Sequence, residues 1–287
     1  MLPTIIDGLS IGAIYALIAL GYTMVYGIAK MLNFAHGDII MVGAYTVFIT
    51  LFLGDDLTTK IIAVLLSVGF CTLLGIVAER LAYRPLRGAS PLAVLITAIG
   101  VSYLLQGTAQ LIFGAKSQPV DFAIPGNIVG INVSTILTLI VATIIMLSLT
   151  IFVKFTKTGR AMVAVSEDKT AARLMGINVN KIISITFAIG SALAACASIF
   201  YLMQIPAASP TLGSMPGIKA FTSAVIGGIG SIPGAMIGGI LLGIIEKTSL
   251  SIPKLAPYTT AFEFSLLILI LLVKPTGILG KKRREKV

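Results

Sequence analysis

Residues 220–245 read AFTSAVIGGIGSIPGAMIGGILLGII. The stretch is apolar from end to end, yet Gly227-Gly228-Ile229-Gly230-Ser231-Ile232-Pro233-Gly234 lies at its centre. Glycine permits close backbone approach and Pro233 removes a hydrogen-bond donor, so one continuous helix is not expected here. Broken backbone at membrane depth is tolerated only where protein or a water-filled cavity covers it. The reading is therefore two half-helices meeting at the break, inside a bundle of other membrane helices. The competing reading is tight packing through small-xxx-small contacts, as in Gly230/Gly234 and Gly234/Gly238.

Composition agrees with a membrane setting. The chain is 57% hydrophobic and 11% charged, with a mean hydropathy of +1.03. Soluble domains carry roughly 25% charged residues, so this is a membrane protein before any window is considered. Segments of about 20 apolar residues cross the hydrocarbon. Candidates are Pro3–Gly27, Ile39–Leu53, Ile61–Ala78, Pro91–Phe113, Ser134–Val153, Ile182–Met203 and Tyr258–Val273, beside the broken region. The expected fold is an all-α polytopic bundle of about seven to eight spans with broken or re-entrant helices. It forms a single membrane domain over residues 1–287. Pro3–Gly27 is too long and too lightly flanked by charge for a cleaved signal peptide. Cys71 and Cys196 fall within apolar spans and read as small core residues. A single histidine with no Cys/His cluster argues against a metal site.

The net charge of +10 raises nucleic acid as a partner, but the cations gather at span ends. That is the positive-inside signature, not a phosphate-tracking stripe. Lys30, Arg80, Arg84, Arg87, the stretch 154–181, Lys274 and the tail Lys281–Lys286 share one side, which places that side and the C-terminus in the cytoplasm. The N-terminus then lies outside, and 220–245 enters and leaves from the outer face.

The stretch 154–181, KFTKTGRAMVAVSEDKTAARLMGINVNK, is the longest polar run. Ser166 reads as an N-cap, with Glu167 and Asp168 in the first turn, where the helix dipole favours carboxylates. Gly176 followed by Ile177 fits a left-handed C-cap. Ala171, Ala172, Leu174 and Met175 give the helix an apolar side with nothing of its own to bury against, so it calls for a partner. The alternative is an ordinary basic loop between spans.

Catalysis is not expected. The chain has no phosphate loop with which to hold ATP, no H-E-x-x-H, no G-x-S-x-G and no convincing intramembrane carboxylate pair. Polar residues at membrane depth and helix breaks mark a translocation path. Candidates are Asn33, His36 and Asp38 in NFAHGD, against the reading of a short turn, and Gly228, Gly230 and Pro233 in the break. Glu246 and Asp7 read as interfacial.

ALIALGYTMVYGIAKMLNFAHGDIIMVGAY, ERLAYRPLR, GRAMVAVSEDKTAARLMGIN, KAFTSAVIGGIGSIPGAMIGGILLGIIE and LLVKPTGILG together resemble the LivH-type permeases of bacterial branched-chain amino acid ABC importers. The resemblance covers essentially the whole chain, with NFAHG and GGIGSIPGA as its specific markers. It implies an inner-membrane subunit that pairs with a second, related permease. Two cytoplasmic ATPase subunits that bind the ATP, and a periplasmic or lipid-anchored solute-binding protein, complete the machine. It also implies a coupling loop over Glu167, Asp168, Ala171, Ala172 and Gly176. Asp168 stands where that loop commonly has Ala. The implied substrate is leucine, isoleucine or valine. Two other classes stay open: a stand-alone ion-coupled carrier or channel for a small zwitterion, which would need a buried relay such as His36 with Asp38, and an intramembrane enzyme.

Overall fold

The structure is a computed structural model that describes residues 2–128 and 130–280. In chain order the elements are α1 (Leu2–Ala29), α2 (His36–Leu51), α3 (Leu57–Ala78) running into a π-helical turn (Glu79–Tyr83), and α4 (Pro91–Phe113). Three two-residue strands follow, β1 (Gln118–Pro119), β2 (Asn127–Ile128) and β3 (Ile131–Asn132). Then come α5 (Val133–Phe155), α6 (Lys157–Glu167), α7 (Lys169–Leu174), α8 (Val179–Gln204), β4 (Ala207–Ala208), α9 (Ser214–Gly227), α10 (Ile232–Ser251) and α11 (Thr259–Val273). Among the described residues seven helical segments are long and apolar enough to cross a membrane, counting α3 with its π-helical turn and α11 with the 3-10 turn Ala256–Tyr258 that precedes it. The chain is an all-α polytopic membrane protein, as its composition implies. The tail Lys281–Lys286 lies outside the described residues.

Burial sorts the helices. α1 and α8 are mostly enclosed, whereas α3, α4, α5 and α11 leave most of their apolar surface outward. Helices that are apolar on every side suit a lipid surround, where no polar face is needed. α1 is the axis, packing on α8, α9, α10 and α5. Its contact with α10 runs antiparallel through small residues. A Cβ on Gly12 would lie 2.7 Å from Ile240 Cα, and one on Gly239 would lie 2.5 Å from Ala16 N. With no hydrophobic drive between helices in lipid, such close backbone contact is what holds the pair.

One end of the bundle collects the cationic segments. There Lys169 meets Ala29, Arg87 meets Asn180, and residues 278–279 meet the end of α9. At the other end Thr135 contacts Asp7, Gln204 contacts Ser10, and β1 pairs antiparallel with β4.

The stretch 154–181 differs in detail from its expected form. It folds as two short helices, with Thr156 capping α6 by accepting from Gly159 N at 3.0 Å. Ser166 is not the N-cap of the second helix: it and Glu167 close α6, and the Ser166 hydroxyl donates back to Val163 O. Asp168 takes the cap, accepting from Thr170 N at 2.7 Å and Ala171 N at 3.0 Å. A carboxylate that takes two of the orphan amides is the better cap.

Candidate functional site

The segment 30–35 interrupts the chain between α1 and α2. α2 has 16 residues. At ~1.5 Å per residue it spans roughly 24 Å, short of a ~30 Å core, and so begins below the surface of the bundle. Its first residues are enclosed. His36 lies edge-on to Tyr22, with ring centroids 4.7 Å apart, in the space that Gly21 leaves open. Tyr83 from the π-helical turn donates to Asn33 Oδ1 at 2.6 Å. Gln106 of α4 donates to Asp38 Oδ1 at 2.8 Å. His36 Nε2 and Thr23 Oγ1 are buried without a hydrogen-bond partner among the described residues. Unmatched buried polar atoms are costly in an apolar interior.

The second break is where the sequence places it. α9 stops at Gly227, α10 starts at Ile232, and Gly228 and Gly230 take φ of +105° and +93°. Pro233 sits in the first turn of α10, and Ser231 caps that helix by accepting from Gly234 N at 3.2 Å. The carbonyls that α9 leaves open are met from a distant segment. Ile278 N donates to Ile226 O at 2.8 Å and Leu279 N to Gly227 O at 2.9 Å. This satisfies orphan groups that would otherwise need water. Of the competing small-xxx-small reading, Gly234 and Gly238 do lie close against α9, whereas Gly230 does not pack tightly, a Cβ there meeting only Gly27 Cα, at 3.9 Å. The close positions are Gly228 against Gly280, Gly227 against Gly234, and Gly238 against Ser223.

The two breaks are neighbours. Phe221 of α9 packs on both Tyr22 and Phe34, with centroids 5.8 and 5.6 Å apart. Gly37 at the start of α2 touches Gly213 and Gly217 at the start of α9. The space left among Tyr22, Asn33, Phe221 and Ile229 is only about 10 Å³. That is room for one water at most, so the seam is shut in this conformation.

Sequence reasoning missed a buried ionic cluster. Lys219 of α9 lies 2.9 Å from Glu246 Oε2 on α10 and 3.1 Å from Glu263 Oε1 on α11. Tyr15 of α1 donates to Glu246 Oε2 at 2.7 Å. Glu246, read as interfacial, is held in a buried ion group and forms with Glu263 the carboxylate pair the sequence was expected to lack. The available signal was three charges in three apolar segments, since buried ions must find each other. A second cluster joins Glu79, fully buried, to Arg87 and to Ser184, whose hydroxyl donates at 2.6 Å.

α7 stands at the cationic end. Gly176, at φ +82°, closes it with two bonds: Ile177 N to Ala172 O at 3.0 Å and Gly176 N to Arg173 O at 3.0 Å. This is the Schellman pattern. Of the apolar side, Ala172 is buried while Ala171 is exposed, and Leu174 and Met175 are 84% and 82% exposed. Lys169 Nζ donates to Ala29 O at 2.8 Å, which fastens α7 to the end of α1. Partial burial, with Arg87 and Arg173 nearby, lowers the pKa of this ammonium below that of a free lysine.

Taken together, these features define a multi-pass helical membrane protein with two adjoining helix breaks and two buried ionic clusters. The chain belongs to the branched-chain amino acid transport system permease component family, which matches residues 4–272. It is 44% identical to the high-affinity branched-chain amino acid transport system permease protein BraD of Pseudomonas aeruginosa, over 100% of this chain and 98% of that one. It is 43% identical to the corresponding permease protein LivH of Escherichia coli K12, over 100% and 97%. Among solved structures, PsaBC from Streptococcus pneumoniae in complex with Fab aligns with a TM-score of 0.45 at 17% identity, over 96% of this chain and 90% of that one.

Proposed function

We propose that this permease is the membrane-spanning subunit of an ATP-driven importer, carrying leucine, isoleucine, valine or similar small amino acids across the inner membrane. A second, related permease pairs with it. Two cytoplasmic ATPase subunits, which bind the ATP, dock on α7 through Glu167, Asp168, Ala171, Ala172 and Gly176. A periplasmic or lipid-anchored solute-binding protein meets the opposite end, at 116–132 and 206–217. The cationic end faces the cytoplasm and carries the C-terminus, so α9 and α10 form a hairpin entered from outside. Asn33, His36, Asp38, Gly228, Gly230 and Pro233 border the path.

The observation that carries this reading is the bond from Lys169 to Ala29. It ties an exposed, partner-seeking helix to the end of α1, and Lys30 and the Asn33 turn follow directly. Movement of a docked ATPase would reach the shut seam between the two breaks without passing through lipid. Relatives named as branched-chain permeases support the substrate class.

The test is uptake of labelled leucine by cells expressing the assembled system. Gly176→Pro and Ala172→Asp should leave membrane insertion intact and abolish uptake. Normal uptake with ATPase subunits still co-purifying removes the docking role. The Lys219 cluster is the one feature that would suit an ion-coupled carrier. Uptake by this chain alone in proteoliposomes, driven by an ion gradient without ATP, would establish that reading instead.

A further inference from the structure

A cleft of about 400 Å³ opens at the cationic end, between the end of α3 with its π-helical turn and the first turns of α8. Its size is that of a small-ligand site. Ile76, Ile185 and Ala188 form its apolar wall, and Arg80, Arg84 and Lys181 stand at its mouth. Leu73 and Val77, beside Ile76 on α3, are exposed apolar side chains, so the wall continues into a lipid-facing surface.

The charges at the mouth are not balanced. None of the three cations pairs with a carboxylate among the described residues. The nearby acid, Glu79, is occupied by Arg87 and Ser184. The amino end of α8 adds its own positive dipole. Three like charges around one opening repel each other unless an anion lies between them. An apolar wall below them calls for a ligand that is anionic at one end and apolar at the other. Free phosphate would leave the wall bare, and an acidic protein surface could not follow it into the hydrocarbon.

We propose that this cleft holds an anionic phospholipid, its phosphate among Arg80, Arg84 and Lys181 and an acyl chain along Ile76, Ile185 and Ala188. Basic pockets between helix ends on the cytoplasmic side are suited to such headgroups. The site is independent of the path and of α7.

The experiment titrates phosphatidylglycerol onto the assembled transporter in phosphatidylcholine nanodiscs and counts retained lipids by native mass spectrometry. Wild type should keep phosphatidylglycerol in preference to phosphatidylcholine. Each cation near an anionic headgroup is worth about fivefold in affinity, so Arg80→Gln/Arg84→Gln/Lys181→Gln should bind on the order of a hundredfold more weakly. Lys154→Gln/Lys157→Gln/Arg160→Gln, at the same end, should bind nearly as wild type. Ala188→Trp, which fills the wall without changing charge, should also lose the lipid, and Arg80→Lys/Arg84→Lys should retain it. These two variants decide the matter if the triple glutamine variant does not assemble. Equal lipid retention in the two triple variants would overturn the proposal. So would displacement of the lipid by millimolar inorganic phosphate, or a cleft variant that sheds ATPase subunits while keeping its lipid, which would make the cleft a protein contact.

Discussion

Replacing Lys219 with methionine would leave Glu246 and Glu263 facing each other without their cation. Glu263 is 1% exposed, and the lysine lies 2.9 and 3.1 Å from the two carboxylates. Removing one partner of a buried ion group costs about 3–5 kcal/mol, because the remaining charge is stranded. Uptake of a proton by one carboxylate relieves part of that, so the lower end of the range is expected. For a chain of this size, ~2–4 °C of unfolding temperature goes with each kcal/mol, and Lys219→Met should therefore melt roughly 10 °C lower. The companion variant is Lys219→Met/Glu246→Gln/Glu263→Gln, which strands no charge. Since buried ion groups are often replaceable by neutral ones at small net cost, it should recover most of the loss. The assay is tryptophan-independent thermal unfolding of the purified protein, followed by size-exclusion of the heated sample. A single variant as stable as wild type, or a triple variant no better than the single one, would refute the assignment of this cluster as a mutually dependent buried ion group.

Further outcomes follow from the backbone. Gly228→Ala combines a positive φ with a Cβ 2.5 Å from Gly280 N and should lose folded yield, while Gly230→Ala, with open space around it, should lose only about 1–2 kcal/mol, read as a smaller drop in unfolding temperature. Gly243→Val would put a Cβ 2.5 Å from Gly8 O in the α1–α10 seam and should cost about 3 kcal/mol or more, against no measurable change for Gly100→Val, which meets nothing within 4 Å. Asp168→Ala should cost α7 about 1 kcal/mol and speed amide exchange at Thr170 and Ala171, whereas Ser166→Ala should leave both slow.

Most spans and both breaks were legible because hydrophobic length and glycine placement act locally. But Ile39–Leu53, read as a span, belongs to the 16-residue α2, and α10, read as a half-helix, is long enough to cross. Gly227 to Pro233 interrupts any helix whatever surrounds it, and Gly176 marks a helix end by its left-handed backbone. The cap at the other end of α7 was not separable, since Ser166 and Asp168 are both good caps two residues apart. Only the competition for Thr170 N and Ala171 N decides between them. Lys219, Glu246 and Glu263 escaped for a different reason. Glu246 looks interfacial within its own segment, and the convergence of the three depends on α9 folding back against α10 with α11 alongside. The same holds for Ile278 and Leu279, whose amides complete the end of α9 from a loop with no internal sign of that role. The sequence left two readings of Gly230 open, because a glycine used for φ and one used for packing look alike; its φ of +93° favours the break.

The central claim is that α7 faces the cytoplasm and receives the motor. Met175→Cys, in a chain with Cys71 and Cys196 replaced, places a thiol at a site that is 82% exposed. A membrane-impermeant maleimide should label it in inverted vesicles, not in intact spheroplasts, and the ATPase subunits should protect it. Labelling from the outer face, or unchanged labelling with the ATPase subunits bound, would contradict the account.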